Sequence, residues 1–285
     1  MTDWPLTFKC NDNCISCINN TKVMSKTEDP PLWQAMAIID SIDPKADYLG
    51  LSGGEPTMRK EFFDVLRHAR ERHPELYIFV VSNGRMFSYM DFARRLAGMG
   101  LGNFRVAVSL YSHRAETHDA ITRAEGSFEQ TTAGIRNLLE LRVPTEVRTV
   151  INRLNYRELP EIAAFIAGEF PGIDRAVFMN MKITGNAYIN REQVLVKISD
   201  VVPYAAKAAR ILRSKGMEAR LYHFPLCTLP RDLWPLASGI TKAEKEELTL
   251  VKACGRCKAR KDCPEIWKSY ACLAGDGEFK AVGNR

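Results

Sequence analysis

No stretch of this sequence approaches the roughly 20 consecutive apolar residues that a membrane-spanning helix needs. Its N-terminus has neither the basic region nor the apolar core of a secretory signal. Histidine is scarce, and the one nearest in sequence to the N-terminal cysteines is His68, so a zinc module built on those cysteines has no fourth ligand close by. Basic tracts with interleaved aromatics are missing too. The net charge of +6 therefore suits an acidic partner or a peptide as well as a nucleic acid, and no RNA or DNA module is recognisable. What remains is a globular chain able to bury a large core, long enough for one large domain and a small appendage. Its eight cysteines fall in clustered, metal-type spacings, which points to a reducing, cytoplasmic compartment and not to a secreted disulfide scaffold.

Three of those cysteines stand at the start of the chain. Cys10, Cys14 and Cys17 have the spacing C-x3-C-x2-C directly after a strand-like run, Pro5 to Lys9. Three thiolates on one tight loop suit three corners of a [4Fe–4S] cubane, which leaves one iron open to a non-protein ligand. Zinc or a set of buried thiols is the alternative. A second motif, Leu51-Ser52-Gly53-Gly54-Glu55-Pro56-Thr57, follows the strand-like Tyr48 to Leu51 and precedes an amphipathic run, Lys60 to Arg72. Its glycines permit a turn and a close backbone approach.

Short apolar runs alternate with helical patterns along most of the chain. Strands are expected at 48–51, 78–82, 104–110, 146–151 and 176–181, and more weakly at 218–222. Helices are expected at 32–41, 159–169 and 201–214, and on the faces Phe62/Phe63/Leu66/Ala69, Phe92/Leu96/Met99 and Ile135/Leu138/Leu139/Leu141. Such alternation implies an α/β fold of parallel strands with about six strand–helix units.

Together the cysteine triad and the Gly-Gly-Glu-Pro motif resemble the radical S-adenosylmethionine (SAM) superfamily. The resemblance implies a partial (β/α)6 barrel, residues 1–222, whose cluster binds SAM and cleaves it to methionine and a 5′-deoxyadenosyl radical. Candidate SAM contacts carried over by position are Gly53, Gly54, Glu55 and Pro56, then Ser82 and Asn83 after the third strand, Ser109 after the fourth, and Arg148 and Asn152 within and beyond the fifth. The bland alternative is that Asn83 and Ser109 cap turns. The superfamily usually has an aromatic residue before the third cysteine. Here it is Ser16, so adenine packing would come from elsewhere, with Met179 and Met181 as candidates that equally suit ordinary core.

The run Val106 to Ser112, with His118-Asp119 and Gly126-Ser127-Phe128-Glu129, resembles the peptide-modifying subgroup that carries an extra cluster domain. His118-Asp119 reads either as a proton-handling pair or, more simply, as a capping feature ahead of a helix. After Cys227 and a charged connector, 241–247, come Cys254, Cys257, Cys263 and Cys272. Similarity to SPASM and shorter twitch domains implies that residues 223–285 form an auxiliary domain with a second [4Fe–4S] cluster on Cys227, Cys254, Cys257 and Cys263. Zinc would use the same four thiolates equally well. Cys272 could replace Cys227, stay buried, or donate a hydrogen atom to a substrate radical.

The segment Phe178 to Ala187, with Phe224 to Pro230, resembles maturases of the His-Xaa-Ser repeat systems. That resemblance implies a ribosomally made precursor peptide as substrate, undergoing crosslinking, epimerisation or side-chain oxidation, with flavodoxin or ferredoxin as reductant. Nine residues before Cys10 leave no room for a fused leader-binding domain, so a separate leader-binding protein is expected. The other readings are a small-molecule enzyme acting on a sugar or alcohol and a non-catalytic iron–sulfur scaffold; a scaffold would need no open iron.

Overall fold

The computed structural model describes residues 2–237 and 245–283. Seven strands form one sheet in sequence order, and every neighbouring pair is parallel: β1 (Thr2–Thr7), β2 (Tyr48–Gly53), β3 (Tyr77–Ser82), β4 (Phe104–Ser109), β5 (Thr145–Ile151), β6 (Arg175–Asn180) and β7 (Glu218–Tyr222). Helices connect successive strands. These are α1 (Thr21–Met24) and α2 (Leu32–Asp40), α3 (Phe62–Arg72), α4 (Met90–Ala97), α5 (Ala115–Thr122) and α6 (Ser127–Glu140), α7 (Leu159–Glu169), and then α8 (Gly185–Ile189), α9 (Arg191–Val194) and α10 (Ile198–Ser214). The expected six strand–helix units are present, and the weakly signalled 218–222 closes the series as a full seventh strand.

Alternation along the strands separates two faces. Ile78, Val80, Val106, Val108, Val147 and Leu221 are fully buried against the helices. The opposite face carries rings and charges: Tyr48 and Tyr77 lie 5.4 and 6.0 Å from Phe79, and the Arg148 guanidinium lies 5.5 Å from Phe79 and 5.9 Å from Tyr222. β1 begins earlier than the 5–9 run suggests and contains Pro5. A proline lacks a ladder donor, and it is tolerated here because β1 is an edge strand paired only with β2, with a register shift between Pro5 and Thr7.

Beyond β7 the chain forms few regular elements: a two-residue pairing of β8 (Leu248–Thr249) with β9 (Ile266–Trp267), and α11 (Lys268–Ala274). Positions 241–244 of the charged connector lie outside the described residues. The tail packs onto the barrel, since Leu226, Leu229, Leu233, Ile266 and Tyr270 join the same buried cluster as the sheet. The backbone N–H of Ile183 donates to Ser269 Oγ at 3.1 Å and that of Ile198 to the Tyr270 hydroxyl at 2.8 Å.

Candidate functional site

The parallel pairing of β1 and β2 continues beyond both strands into the two sequence motifs. Gly54 N donates to Thr7 O and Glu55 N to Lys9 O, each at 2.7 Å. A Cβ at Gly53 would lie 2.3 Å from Thr7 O, and one at Gly54 would lie 2.0 Å from Lys9 O; Gly53 also has φ +124°. The glycines are therefore needed where the second motif meets the base of the cysteine loop.

Beyond Lys9 the loop is fastened from three sides. The turn after β3 supplies Arg85, whose Nη1 donates to Asp12 Oδ1 at 2.7 Å and to Asn11 O at 2.5 Å, and Asn83, whose Nδ2 donates to Asn11 Oδ1 at 2.7 Å. From the end of α5, Ile121 O and Thr122 O accept from Ile15 N and Asn13 N at 2.8 and 2.9 Å. On the third side, Asn186 Nδ2 in α8 donates to Cys14 O at 3.0 Å, Asn190 Nδ2 donates to Ile15 O at 3.1 Å, and Ala187 N donates to Cys17 O at 3.0 Å.

The result is an open cleft of about 540 Å³ whose lining includes Cys10, Cys14, Cys17, Gly53, Gly54 and Met58. All three thiols are free. Burial pushes the Cys10 thiol up to about 12, even though its side chain keeps solvent-exposed surface, because protein packs around its inner side. Burial raises Cys14 and Cys17 as well, and the Asp12 carboxylate raises both further. Thiols in such surroundings ionise only when a cation compensates them, as a bound iron cluster does. Among the described residues, no three His, Cys, Asp or Glu side chains converge on the position of one metal ion.

Glu55 is buried, and its carboxylate is fully engaged. Oε1 accepts from Ser82 Oγ at 2.8 Å and from Thr57 Oγ1 and N at 2.5 and 3.2 Å, while Oε2 accepts from Asn83 N at 2.7 Å. Burial raises its pKa and these hydrogen bonds oppose the rise. Glu55 thus ties β2 to the turn after β3, and Pro56 opens the short 3-10 turn that carries Thr57.

Ser109 is half-buried at the end of β4. Asn152 is fully buried; its Oδ1 accepts from Leu154 N at 2.9 Å and its Nδ2 has no partner among the described residues. Arg148 faces the inner side of the sheet, paired with Glu146, which Arg175 also approaches at 3.3 Å. Burial lowers the Arg148 pKa, but the Glu146 carboxylate outweighs it and holds the guanidinium charged. Met181 lies in a separate cavity with His223, Trp267 and Tyr270, not in the cysteine cleft.

His118 and Asp119 adopt the capping role. Asp119 accepts from Gly126 N, Ser127 Oγ and Phe128 N at 2.7 to 2.8 Å at the start of α6, whereas His118 is buried, with its pKa lowered to about 4 chiefly by burial.

In the tail, Cys227, Cys254, Cys257 and Cys263 line one pocket with Leu226, Ile266 and Phe279. Burial raises Cys227 and Cys263, and the charges of Cys254 and Cys257 raise both further. Cys272 sits exposed on α11, outside this pocket. Arg85, Asn186 and Asn190 carry no sequence signal of their own, because each acts on the cysteine loop from a distant part of the chain.

Parallel strands and a cysteine cleft at their C-terminal ends define a barrel-type α/β protein built for an iron–sulfur cofactor. Residues 4–166 match the radical SAM superfamily, and the chain belongs to it. Membership implies a [4Fe–4S] cluster and SAM. The Fe-coproporphyrin III synthase of Methanosarcina barkeri is 28% identical over 221 residues, covering 76% of this chain and 53% of that protein. The mycofactocin maturase MftC of Mycolicibacterium smegmatis is 30% identical over 169 residues, covering 58% of this chain and 41% of that one. The chain thus spans about half the length of these relatives. Among solved structures, Streptococcus suis SuiB bound to its precursor peptide SuiA shares the fold, with a TM-score of 0.64 at 14% identity over 77% of this chain and 48% of that one. No helix among the described residues is long and apolar enough to cross a membrane.

Proposed function

We propose that this chain is a two-cluster radical SAM oxidoreductase acting on a ribosomally made precursor peptide. Cys10, Cys14 and Cys17 would hold the SAM-binding cluster, and residues 223–285 would form a twitch-like domain with a second [4Fe–4S] cluster on Cys227, Cys254, Cys257 and Cys263. When bound, cluster and SAM supply a 5′-deoxyadenosyl radical that abstracts a hydrogen atom from the substrate.

The chain's own residues position that chemistry. Gly53 and Gly54 bring the backbone to the cleft; Ser82, Asn83 and Ser109, outside the lining of that cleft, would meet SAM from the strand ends, and Asn152 Nδ2, which has no partner among the described residues, would offer it a donor. Glu55 and Arg148, already engaged with Ser82, Asn83 and Glu146, act by shaping those strand ends. Cys272, exposed and outside the pocket, is the thiol available for hydrogen-atom donation. A flavodoxin or ferredoxin would supply the electron, and a separate protein would present the peptide leader.

The observation that carries this reading is the four-cysteine pocket built by the segment leaving β7, at the end of the barrel where parallel strands keep their sites. Likeness to a maturase in sequence and to a peptide-bound enzyme in fold supports a peptide substrate. A second reading, a tetrapyrrole substrate, draws on the Fe-coproporphyrin III synthase match, which covers most of this chain. The two are separated by incubating reconstituted enzyme with SAM and dithionite, adding either any short peptide encoded beside its gene or an iron tetrapyrrole precursor of Fe-coproporphyrin III. Peptide-dependent 5′-deoxyadenosine with a change in peptide mass supports the first reading. Turnover with the tetrapyrrole alone replaces it with the second.

A further inference from the structure

The tail carries its charge unevenly. Between Lys252 and Glu265 five cations, Lys252, Arg256, Lys258, Arg260 and Lys261, are interleaved with Cys254, Cys257 and Cys263, against two acids, Asp262 and Glu265. All five cations are exposed, whereas the three cysteines are half-buried. Tight turns fix this alternation: Cys257 N donates to Cys254 O and Asp262 N to Ala259 O, each at 3.2 Å. Lys258 N donates to Val282 O at 3.0 Å, which draws the segment bearing Lys280 alongside. The inner wall of the four-cysteine pocket is apolar, formed by Leu226, Ile266 and Phe279. The cysteines thus have hydrocarbon behind them and a collar of cations on the solvent side.

Many arginines elsewhere on the surface are matched. Arg67 pairs with Asp64, Arg72 with Asp40, Arg105 with Asp174, Arg136 with Glu169 and Arg210 with Asp232. Among the described residues, none of the five collar cations has a carboxylate within ion-pair reach. Balancing the charge of four thiolates accounts for Arg260 and Lys280, which line the pocket, and leaves Lys252, Arg256, Lys258 and Lys261, which do not. Those four project an unneutralised positive field into solvent around the cysteines.

We propose that this collar is the docking surface of an acidic one-electron carrier protein that exchanges an electron with the second cluster. The inference rests on the reading of Cys227, Cys254, Cys257 and Cys263 as ligands of that cluster. Complementary charge steers a partner to its site and speeds the encounter more than it tightens the complex. Electron-transfer contacts are small and weak, so a ring of unpaired cations suffices without an apolar anchor. One electron passes between carrier and cluster, one being oxidised as the other is reduced, with no bond made or broken.

The test uses the reconstituted full chain and a plant-type [2Fe–2S] ferredoxin, an acidic one-electron carrier. Electron exchange is started in whichever direction is downhill and followed by stopped-flow absorbance of the ferredoxin. Rapid-freeze electron paramagnetic resonance follows the cluster signal that ignores SAM, and iron is counted in parallel. Wild type is compared with Lys252→Glu/Arg256→Glu/Lys258→Glu and with a charge-matched control, Lys45→Glu/Lys207→Glu/Lys215→Glu, on exposed positions outside the tail. The collar variant is expected to slow exchange about ten-fold or more at low salt, and added salt is expected to shrink that difference. The control should stay within about two-fold of wild type, and exchange with methyl viologen, a small cationic carrier, should not slow in the collar variant. Equal slowing in both triple variants would overturn the proposal, as would collar-variant rates equal to wild type. Binding of a DNA duplex that is lost in the collar variant, with ferredoxin rates unmoved, would assign the surface to nucleic acid and overturn it too. Absence of any SAM-indifferent cluster signal in wild type would instead defeat the second cluster itself, and the docking proposal with it.

Discussion

Arg85 reaches from the turn after β3 to Asp12 in the cysteine loop, 73 positions earlier, and closes an ion pair at 2.7 Å with both side chains largely shielded from water. Burial raises the Asp12 pKa and Arg85 opposes that rise, so the carboxylate depends on this partner to stay ionised. The pair is the strut that holds the loop over the barrel mouth.

Replacing Arg85 with methionine keeps much of the volume and removes the charge. Breaking one side of a buried pair costs about 3–5 kcal/mol, and here the damage falls on the loop bearing Cys10, Cys14 and Cys17. The expected outcome is a lowered urea midpoint and loss of the SAM-perturbed cluster signal. An unchanged midpoint with full iron content would show that the strut is dispensable.

Gly54→Ala places a methyl group where Lys9 O already stands, 2.0 Å away, so the backbone pairing of the two motifs must open. Strain and a lost hydrogen bond together are expected to cost about 2–4 kcal/mol. The variant should retain less iron than wild type under equal reconstitution. Gly100→Ala is the control for stability alone, since nothing lies within 4 Å of its Cβ position, although its φ of +59° makes alanine mildly strained.

His118 supplies the pH prediction. Its pKa falls from 6.5 in the unfolded chain to about 4 in the fold, chiefly through burial, with Arg85 assisting and Asp119 opposing. Between those values the unfolded state binds the proton and the native state does not, so this contribution to stability is complete above pH 6.5 and is lost as pH falls toward 4. The loss reaches about 3 kcal/mol. Glu55 and Asp12, whose pKa values are raised, act with the opposite sign. The difference in unfolding free energy between wild type and His118→Phe, measured from pH 7 to pH 4.5, isolates the histidine. Wild type should lose more stability on acidification than the variant, and parallel curves would remove the claim.

How much of this was legible in the sequence follows from how local each signal is. The cysteine triad and Gly53-Gly54 are contiguous, and the alternation of Tyr77–Ser82 or the face of Phe62, Phe63 and Leu66 is written in a few residues, so cleft, strands and main helices follow from short windows. Short helices leave no such signal. α5 holds His118 and Asp119, a pair that in sequence reads as a cap ahead of a helix, and α8 is only five residues long, with too few turns to show a period. The inward setting of Arg148 also needed the structure, because alternation alone leaves the two faces of β5 interchangeable; its partner Glu146 lies on the same face. Least visible were Arg85, Asn186 and Asn190. Their partners lie 73 to 175 positions away, and a surface-type polar residue becomes a clamp only once the sheet brings those positions together.

The central claim is that two separate cysteine sets hold two iron–sulfur clusters, one of them open to SAM. It is tested most directly by iron, sulfide and zinc analysis of anaerobically reconstituted protein, with electron paramagnetic resonance after reduction, with and without SAM, in wild type and in a Cys254→Ala/Cys257→Ala double variant. The account predicts about eight irons in wild type, about four in the double variant, and a SAM-perturbed signal in both. About four irons with one zinc in wild type would contradict the second cluster, and a signal indifferent to SAM would contradict the assignment of Cys10, Cys14 and Cys17.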